Sequence, residues 1–127
     1  MSIAECNVTE NIGNGVSGHL LSGEFTFSIS GSNISDNSQD GCTAEPSITM
    51  LISESTVFNN NGNGLSGHGA VSIFSIVSHN NKTGILGNYS IEWTTIEHNT
   101  DVGFNGTGSI HNCNITDNTP FDVATIG

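Results

Sequence analysis

The sequence predicts an all-β fold, a parallel solenoid of about six stacked coils with an internal ladder of asparagine side chains. Three observations support this prediction. A pattern of one aliphatic residue, any two residues, Asn, any three residues and Gly recurs along the whole chain. Short runs such as Phe25–Ile29 alternate apolar and polar residues, as half-buried β-strands do. The chain contains 16 Gly and many Asn, and both residue types tolerate the positive φ angles of tight corners.

One asparagine anchors each coil. A Gly follows the anchor four positions later in five coils, and the sixth coil has Asp122 there. Successive anchors are 26, 23, 20, 19 and 19 residues apart, a period typical of solenoids. Stacked strands lie about 4.8 Å apart, so we expect the anchor side chains to hydrogen-bond along the stack. The anchors of this predicted ladder are Asn11, Asn37, Asn60, Asn80, Asn99 and Asn118.

The coils account for the chain as a single domain, 1–127. Counting nine residues back from each anchor places coil starts near residues 2, 28, 51, 71, 90 and 109. The first and last coils open alike, and neither end shows an amphipathic capping helix. Exposed coil edges favour edge-to-edge growth. We therefore expect copies to stack end to end, with contacts at Ile3, Cys6, Ile110 and Cys113.

The pattern I/V-x-x-N-x-x-x-G-I/V/L, which covers essentially the whole chain, resembles a known repeat. It is similar to the parallel β-helix repeat of the pectate-lyase-like, right-handed β-helix superfamily. The resemblance implies a right-handed parallel β-helix. It implies no single function, because that superfamily includes lyases, hydrolases, epimerases, phage tailspikes, adhesins and purely structural solenoids.

The residues that enzymes of this superfamily use are missing or out of order. The resemblance implies that its polysaccharide lyases abstract a proton with Arg or Lys beside acidic calcium ligands, but this chain has no Arg and Lys82 alone. Its galacturonan hydrolases carry N-T-D, D-D, G-H-G and R-I-K in that order. Here Gly67–Gly69 (G-H-G) precedes Asn99–Asp101 (N-T-D), and the other two motifs are absent. We expect no enzymatic activity, no catalytic residues and no cofactor.

The charge balance excludes two classes of partner. One basic side chain stands against 12 acidic ones, for a formal net charge of −11. Nucleic acids and anionic membrane surfaces would repel such a chain, and no apolar run approaches the ~20 residues of a membrane span.

The first residues lack the pattern of a signal peptide. Scarce Lys and Arg and six N-x-S/T sequons favour an extracellular, cell-surface or virion-surface location. The sequons begin at Asn7, Asn33, Asn81, Asn88, Asn105 and Asn114.

A column of candidate metal ligands crosses the first three coils. His19, Glu45 and His68 each stand four residues past the repeat Gly, so strand stacking would place them above one another. Two imidazoles and a carboxylate are a plausible set for a divalent metal. The alternative interpretation is a solvated column on a polar face.

Two further columns have structural and functional interpretations. The residue before each anchor is polar, and His79 and His98 there could bind a metal beside Asp117, respond to pH near 6, or belong to a hydrogen-bonded corner. The residues of this polar column are Glu10, Asp36, Asn59, His79, His98 and Asp117.

Cys6 and Cys113 share a coil position that Ser or Thr fills in the other coils. Each is therefore either a small inward residue or a contact between stacked copies.

The sequence predicts a structural role. We expect a self-assembling subunit of an extracellular filament or surface fibre, whose partner is another copy stacked head to tail. The alternative is a carbohydrate-binding or carbohydrate-processing module, with glycans bound at the His19–Glu45–His68 edge. Trp93 or Tyr89 would then offer a ring for sugar stacking.

Overall fold

The computed structural model describes residues 1–72 and 74–125, which form short β-strands joined by turns. This described part contains no helix, so the predicted all-β fold is confirmed. It therefore also contains no helix that could cross a membrane. The strands are β1 (Ser2–Ala4), β2 (Asn7–Thr9), β3 (Val16–Gly18), β4 (Phe25–Ser30), β5 (Asn33–Ser35), β6 (Cys42–Ala44), β7 (Ile48–Ser53), β8 (Thr56–Phe58), β9 (Leu65–Ser72), β10 (Ile76–Ser78), β11 (Ile85–Glu92), β12 (Thr95–Glu97), β13 (Phe104–His111), β14 (Asn114–Thr116) and β15 (Val123–Thr125).

The strands stack in two parallel sheets. The first runs β1-β4-β7-β9-β11-β13-β15, with β3 and β6 joined to it beside this path, and the second runs β2-β5-β8-β10-β12-β14. Neighbouring strands of a sheet come from neighbouring coils, so the chain winds through six layers of strands, or about five full turns. The predicted parallel solenoid is confirmed.

The stacking register differs from the predicted coil starts by one residue, in the fourth coil. Leu51 and Ser90, the starts of the third and fifth coils, both pair with Ala70 and not with Val71. The reason is an extra residue, because Ala70 precedes the corner residue Phe74 by four positions and the other coils reach this corner after three. This shift of one residue places the apolar side chain of Val71 in the inward column, beside Ile52 and Ile91.

The core consists of inward-facing aliphatic side chains stacked in columns. Ile29, Ile52, Val71 and Ile91 form one column along the first sheet, and each is at most 1% exposed. Full burial of such a side chain contributes roughly 1.5–3 kcal/mol. The second sheet adds a parallel column, made of Ile34, Val57, Val77 and Ile96.

The asparagine ladder is formed as predicted. In every step the side-chain Nδ2 of one anchor donates to Oδ1 of the next anchor at 2.8–3.0 Å, and the backbone N–H donates to the same oxygen at 3.0–3.2 Å. Nδ2 also donates to a backbone carbonyl of the preceding coil, as from Asn80 to Val57 at 3.2 Å. The buried amides are thereby paired, which removes the cost of burying them.

Glycines bend the three long strands of the first sheet. The first half of β9 pairs with β6 and its second half with β7, and Gly67 lies at the bend with a φ of +144°. Gly87 and Gly106 stack on it with φ values of +127° and +159°. Coils one and two have loops at this corner, residues 19–24 and 45–47, which rim the outer face of the first sheet.

Candidate functional site

Two of the three predicted metal ligands contact each other. His19 Nδ1 and Glu45 Oε1 form a direct hydrogen-bonded pair, and the Leu20 backbone N–H donates to Glu45 Oε2 at 3.2 Å. The Leu20 bond, followed by the His19 bond, holds the pKa of the Glu45 carboxyl below its usual value. The pair ties the first loop to the second.

His68 does not join this pair. The loop at residues 45–47 separates β6 from β7, so the residue stacked beside His68 is Thr49, whose Oγ1 lies 3.2 Å from Nε2 of His68. The predicted ligands His19, Glu45 and His68 therefore do not converge. Within residues 1–72 and 74–125, no group of three His, Cys, Asp or Glu side chains is arranged to hold a metal ion.

A polar groove lies beside His68, between the two loops. It has a volume of about 390 Å³, and its lining residues are Glu24, Phe25, Thr26, Pro46, Ser47, Thr49 and His68. Thr49 and His68 also belong to a shallower depression of about 570 Å³ that continues along the outer face of the first sheet past Asn88, Ser90 and Ser109. The hydroxyl, amide and imidazole groups along this path can both donate and accept hydrogen bonds.

The two predicted stacking rings lie elsewhere. Tyr89 is fully buried, because it points inward between Gly69 and Gly108, which stack above and below it without side chains. Burial raises the pKa of its hydroxyl, and that hydroxyl has no hydrogen-bond partner within the described chain. Trp93 is 54% exposed, but it lies at the corner before the second sheet, next to Phe74, and does not line the groove.

The polar column before the anchors forms a corner of the solenoid. All six residues have φ between +53° and +59°, the left-handed region that Asn, Asp and His enter most readily. His79 and His98 stack there with ring centroids 5.0 Å apart, and the Asn59 amide donates to the Asp36 carboxylate. The contact between Asn59 and Asp36 is that of a hydrogen-bonded corner, whereas metal binding or a pH response of His79 and His98 stays a prediction.

The cysteine position is part of a second ladder. Ser32, Ser55, Ser75 and Thr94 are buried there, and each hydroxyl donates to a backbone carbonyl a few residues earlier in its own coil. The thiols of the terminal coils make the same contact, Cys6 to Ala4 O at 3.0 Å and Cys113 to His111 O at 3.2 Å. Both thiols are free. The thiols thus take the same place as the Ser and Thr hydroxyls, and a contact of Cys6 or Cys113 with a stacked copy stays a prediction.

The terminal coils leave inward apolar residues partly exposed. Ile3 and Ile110 stand in the column of Ile29 and Ile91, which are fully buried, yet both are only half-buried. In the second sheet Val8 and Ile115 are half-buried in the same way. Strands β1, β2 and β14 each pair with one neighbour among the described strands, so each has an unpaired edge.

Three notable positions were not predicted as site residues. Thr49 lies in the groove because the loop before β7 sets the register of that strand. Phe74 lies at an exposed corner because its coil has one extra residue. The repeat pattern alone reveals neither position. Asp122 had a signal in the sequence, as the one residue that replaces the repeat Gly. Its Oδ1 accepts two hydrogen bonds from Asn118, at 3.1 Å each.

Comparison with protein-family models, with curated proteins and with solved structures finds no match to this chain. Fold and ladder therefore define the class of the protein, a parallel β-solenoid with an internal asparagine ladder.

Proposed function

We propose that the protein is a structural β-solenoid unit that joins other copies of itself head to tail into a filament or surface fibre. The observation that supports this most is the pair of terminal coils, where Ile3 and Ile110 occupy the same coil position and are only half-buried. Stacking a second copy would pair free strand edges and remove these side chains from water. A contact between opposite ends does not close on itself, so growth can continue.

The composition supports an extracellular site for such a fibre. With one Lys and no Arg, the chain offers trypsin-like proteases little to cut, and its sequons suit a secreted protein.

We also propose that the solenoid is a right-handed member of the pectate-lyase-like superfamily, because its repeat pattern resembles the repeat of that superfamily. Its function does not require catalysis, because strand pairing at the ends is sufficient.

Electron microscopy and sedimentation of the purified protein, with and without reductant, test this proposal. We expect fibres at high protein concentration, and Ile3→Lys should weaken association at least tenfold, because stacking would bury an unpaired charge. Ile76→Lys is the matched control, since Ile76 is 39% exposed on the side of the solenoid. Fibres that dissolve on reduction would assign a covalent contact to Cys6 and Cys113. Monomers at every concentration would contradict the proposal.

Carbohydrate binding in the groove is a second candidate function. It is favoured by the polar lining, where the Thr49 hydroxyl and the His68 imidazole face the same space between two loops. A glycan array followed by calorimetry tests it, with Thr49→Val expected to reduce affinity at least tenfold. His111→Ala is the control, since His111 lies outside the groove. Equal binding by the Thr49 variant, or no glycan bound, would argue against this function.

A further inference from the structure

The asparagine ladder ends on a carboxylate. In each inner step an anchor donates its backbone N–H and its Nδ2–H to the Oδ1 of the next anchor, as Asn99 does to Asn118 at 3.0 and 2.8 Å. Asn118 makes the same two bonds to Oδ1 of Asp122, at 3.1 Å each. The Asp122 oxygen therefore occupies the place of the next asparagine in the ladder.

Asp122 also occupies the position of the repeat Gly. The backbone N–H of Phe104 donates to its carbonyl at 2.8 Å, as that of Ile85 donates to the carbonyl of Gly103 at 2.9 Å. In the other coils this position has no room for a side chain, because a Cβ would lie 2.5–2.8 Å from Nδ2 of the next anchor. These positions are Gly15, Gly41, Gly64, Gly84 and Gly103.

A side chain at residue 122 is thus incompatible with a further asparagine stacked on Asn118. We propose that Asp122 is a stop residue for the ladder: it satisfies the last ladder donors and keeps the asparagine of a second copy from stacking on Asn118, so that stacking at this end depends on the strand edges alone and is weaker. The Cβ atom makes the exclusion steric, since it is fixed to the backbone and cannot turn away, and the carboxylate removes the unpaired donors that would attract a partner.

The other end of the ladder is open. Asn11 donates its N–H and Nδ2–H to Asn37, while its own Oδ1 accepts no hydrogen bond within the described chain. This oxygen is the acceptor that Asn118 of a second copy would need. The stop residue therefore sets how far head-to-tail association proceeds, and in this respect the inference rests on the proposed function.

The test compares Asp122→Gly, which restores the repeat residue, with Asp122→Asn, which keeps both the Cβ and an Oδ1 acceptor. We expect Asp122→Gly to associate at a concentration about tenfold lower than the wild type in sedimentation velocity, and to form longer fibres. Asp122→Asn should behave as the wild type. A third variant, Asp122→Gly with Asn11→Leu, removes the open acceptor and should reverse the gain.

A second measurement reports on the ladder in the monomer. Hydrogen exchange at the Asn118 amide, measured in dilute solution, should accelerate about tenfold or more in Asp122→Gly and stay unchanged in Asp122→Asn. If wild type and Asp122→Gly form fibres equally well, end-to-end association stands and the stop residue is overturned. If neither associates while exchange at Asn118 accelerates, the ladder cap stands and end-to-end association fails. Unchanged exchange in Asp122→Gly would refute the cap itself.

Discussion

At the scale of single residues, the ladder depends on a pair of positions in each coil. The anchor supplies two donors and an acceptor, and the Gly four positions later leaves space for the anchor of the next coil. Asn80 shows the result, since it is fully buried and its amide is bonded on both sides of the stack. Inside the stack neither position tolerates exchange alone: a buried amide without partners costs about 1–3 kcal/mol, and a Cβ at the Gly position would overlap the next anchor.

The buried hydroxyl of Tyr89 leads to a prediction that Tyr89→Phe stabilises the protein. The hydroxyl is buried and has no hydrogen-bond partner within the described chain, so nothing offsets the cost of removing it from water. The Phe side chain removes this cost and keeps the ring that fills the core. We expect the free energy of unfolding to rise by about 1 kcal/mol in urea denaturation. A decrease of similar size would contradict the prediction by showing that the hydroxyl is hydrogen-bonded in solution.

The Glu45 carboxyl should make stability depend on pH. Its pKa is lowered in the folded state by the bonds from Leu20 and His19, so the folded protein binds fewer protons there than the unfolded chain. The stabilisation is fully present above about pH 4.5 and is lost as the pH falls through the folded-state pKa. Glu45→Gln should therefore lose stability relative to the wild type at pH 7 and approach it at pH 3. A difference that stays constant across this range would contradict the assignment.

At the scale of elements, each long strand of the first sheet bends at a glycine where the coil changes direction. Gly87 illustrates why, since its φ is +127° and a Cβ there would overlap the carbonyl oxygen of Gly67. In coils one and two loops replace the bend, and the groove exists because of this replacement. The same corner is therefore a bent, continuous strand in the later coils and a recess in the first two.

We predict that Gly87→Ala destabilises the protein by about 3 kcal/mol or more, through left-handed backbone strain and overlap with the neighbouring coil. Thermal and urea denaturation measure the effect. Gly13→Ala is the matched control, because no atom beyond the two neighbouring residues lies within 4 Å of a Cβ at that position, and we expect a change within about 1 kcal/mol. Equal stabilities of the two variants would show that the bend relaxes freely.

Much of the fold was predictable because stacking repeats the same environment in every coil. The anchors and the inward columns recur at constant offsets, so one coil explains the others. The departures involve local insertions. One extra residue before Phe74 shifted the register to Ala70, and the loop at residues 45–47 placed Thr49 beside His68. Tyr89 is buried because of glycines that are remote in sequence, which only the register brings next to it.

At the scale of the whole molecule, the net charge of −11 works against compactness and against association. Because no ion pair beyond His19–Glu45 occurs among the described residues, repulsion between carboxylates is relieved mainly by dissolved ions. We predict that the melting temperature and the extent of self-association both rise between about 0.01 and 0.15 M NaCl. Lys82→Gln, which removes the one basic side chain, should steepen this dependence. A melting temperature independent of salt would contradict the prediction.

The ladder also gives the solenoid an electric dipole along its axis. Backbone hydrogen bonds between coils run both ways along the axis, but every bond between anchors runs from the earlier coil to the later one. Their amide dipoles therefore add, with the positive end at Asn118 and the negative end at Asn11. Asp122 places its carboxylate at the positive end, as acidic residues do at the start of helices. In Asp122→Gly, which lacks this carboxylate, two molecules lying along one axis have the lower dipolar energy when they point the same way, which favours head-to-tail order over head-to-head order.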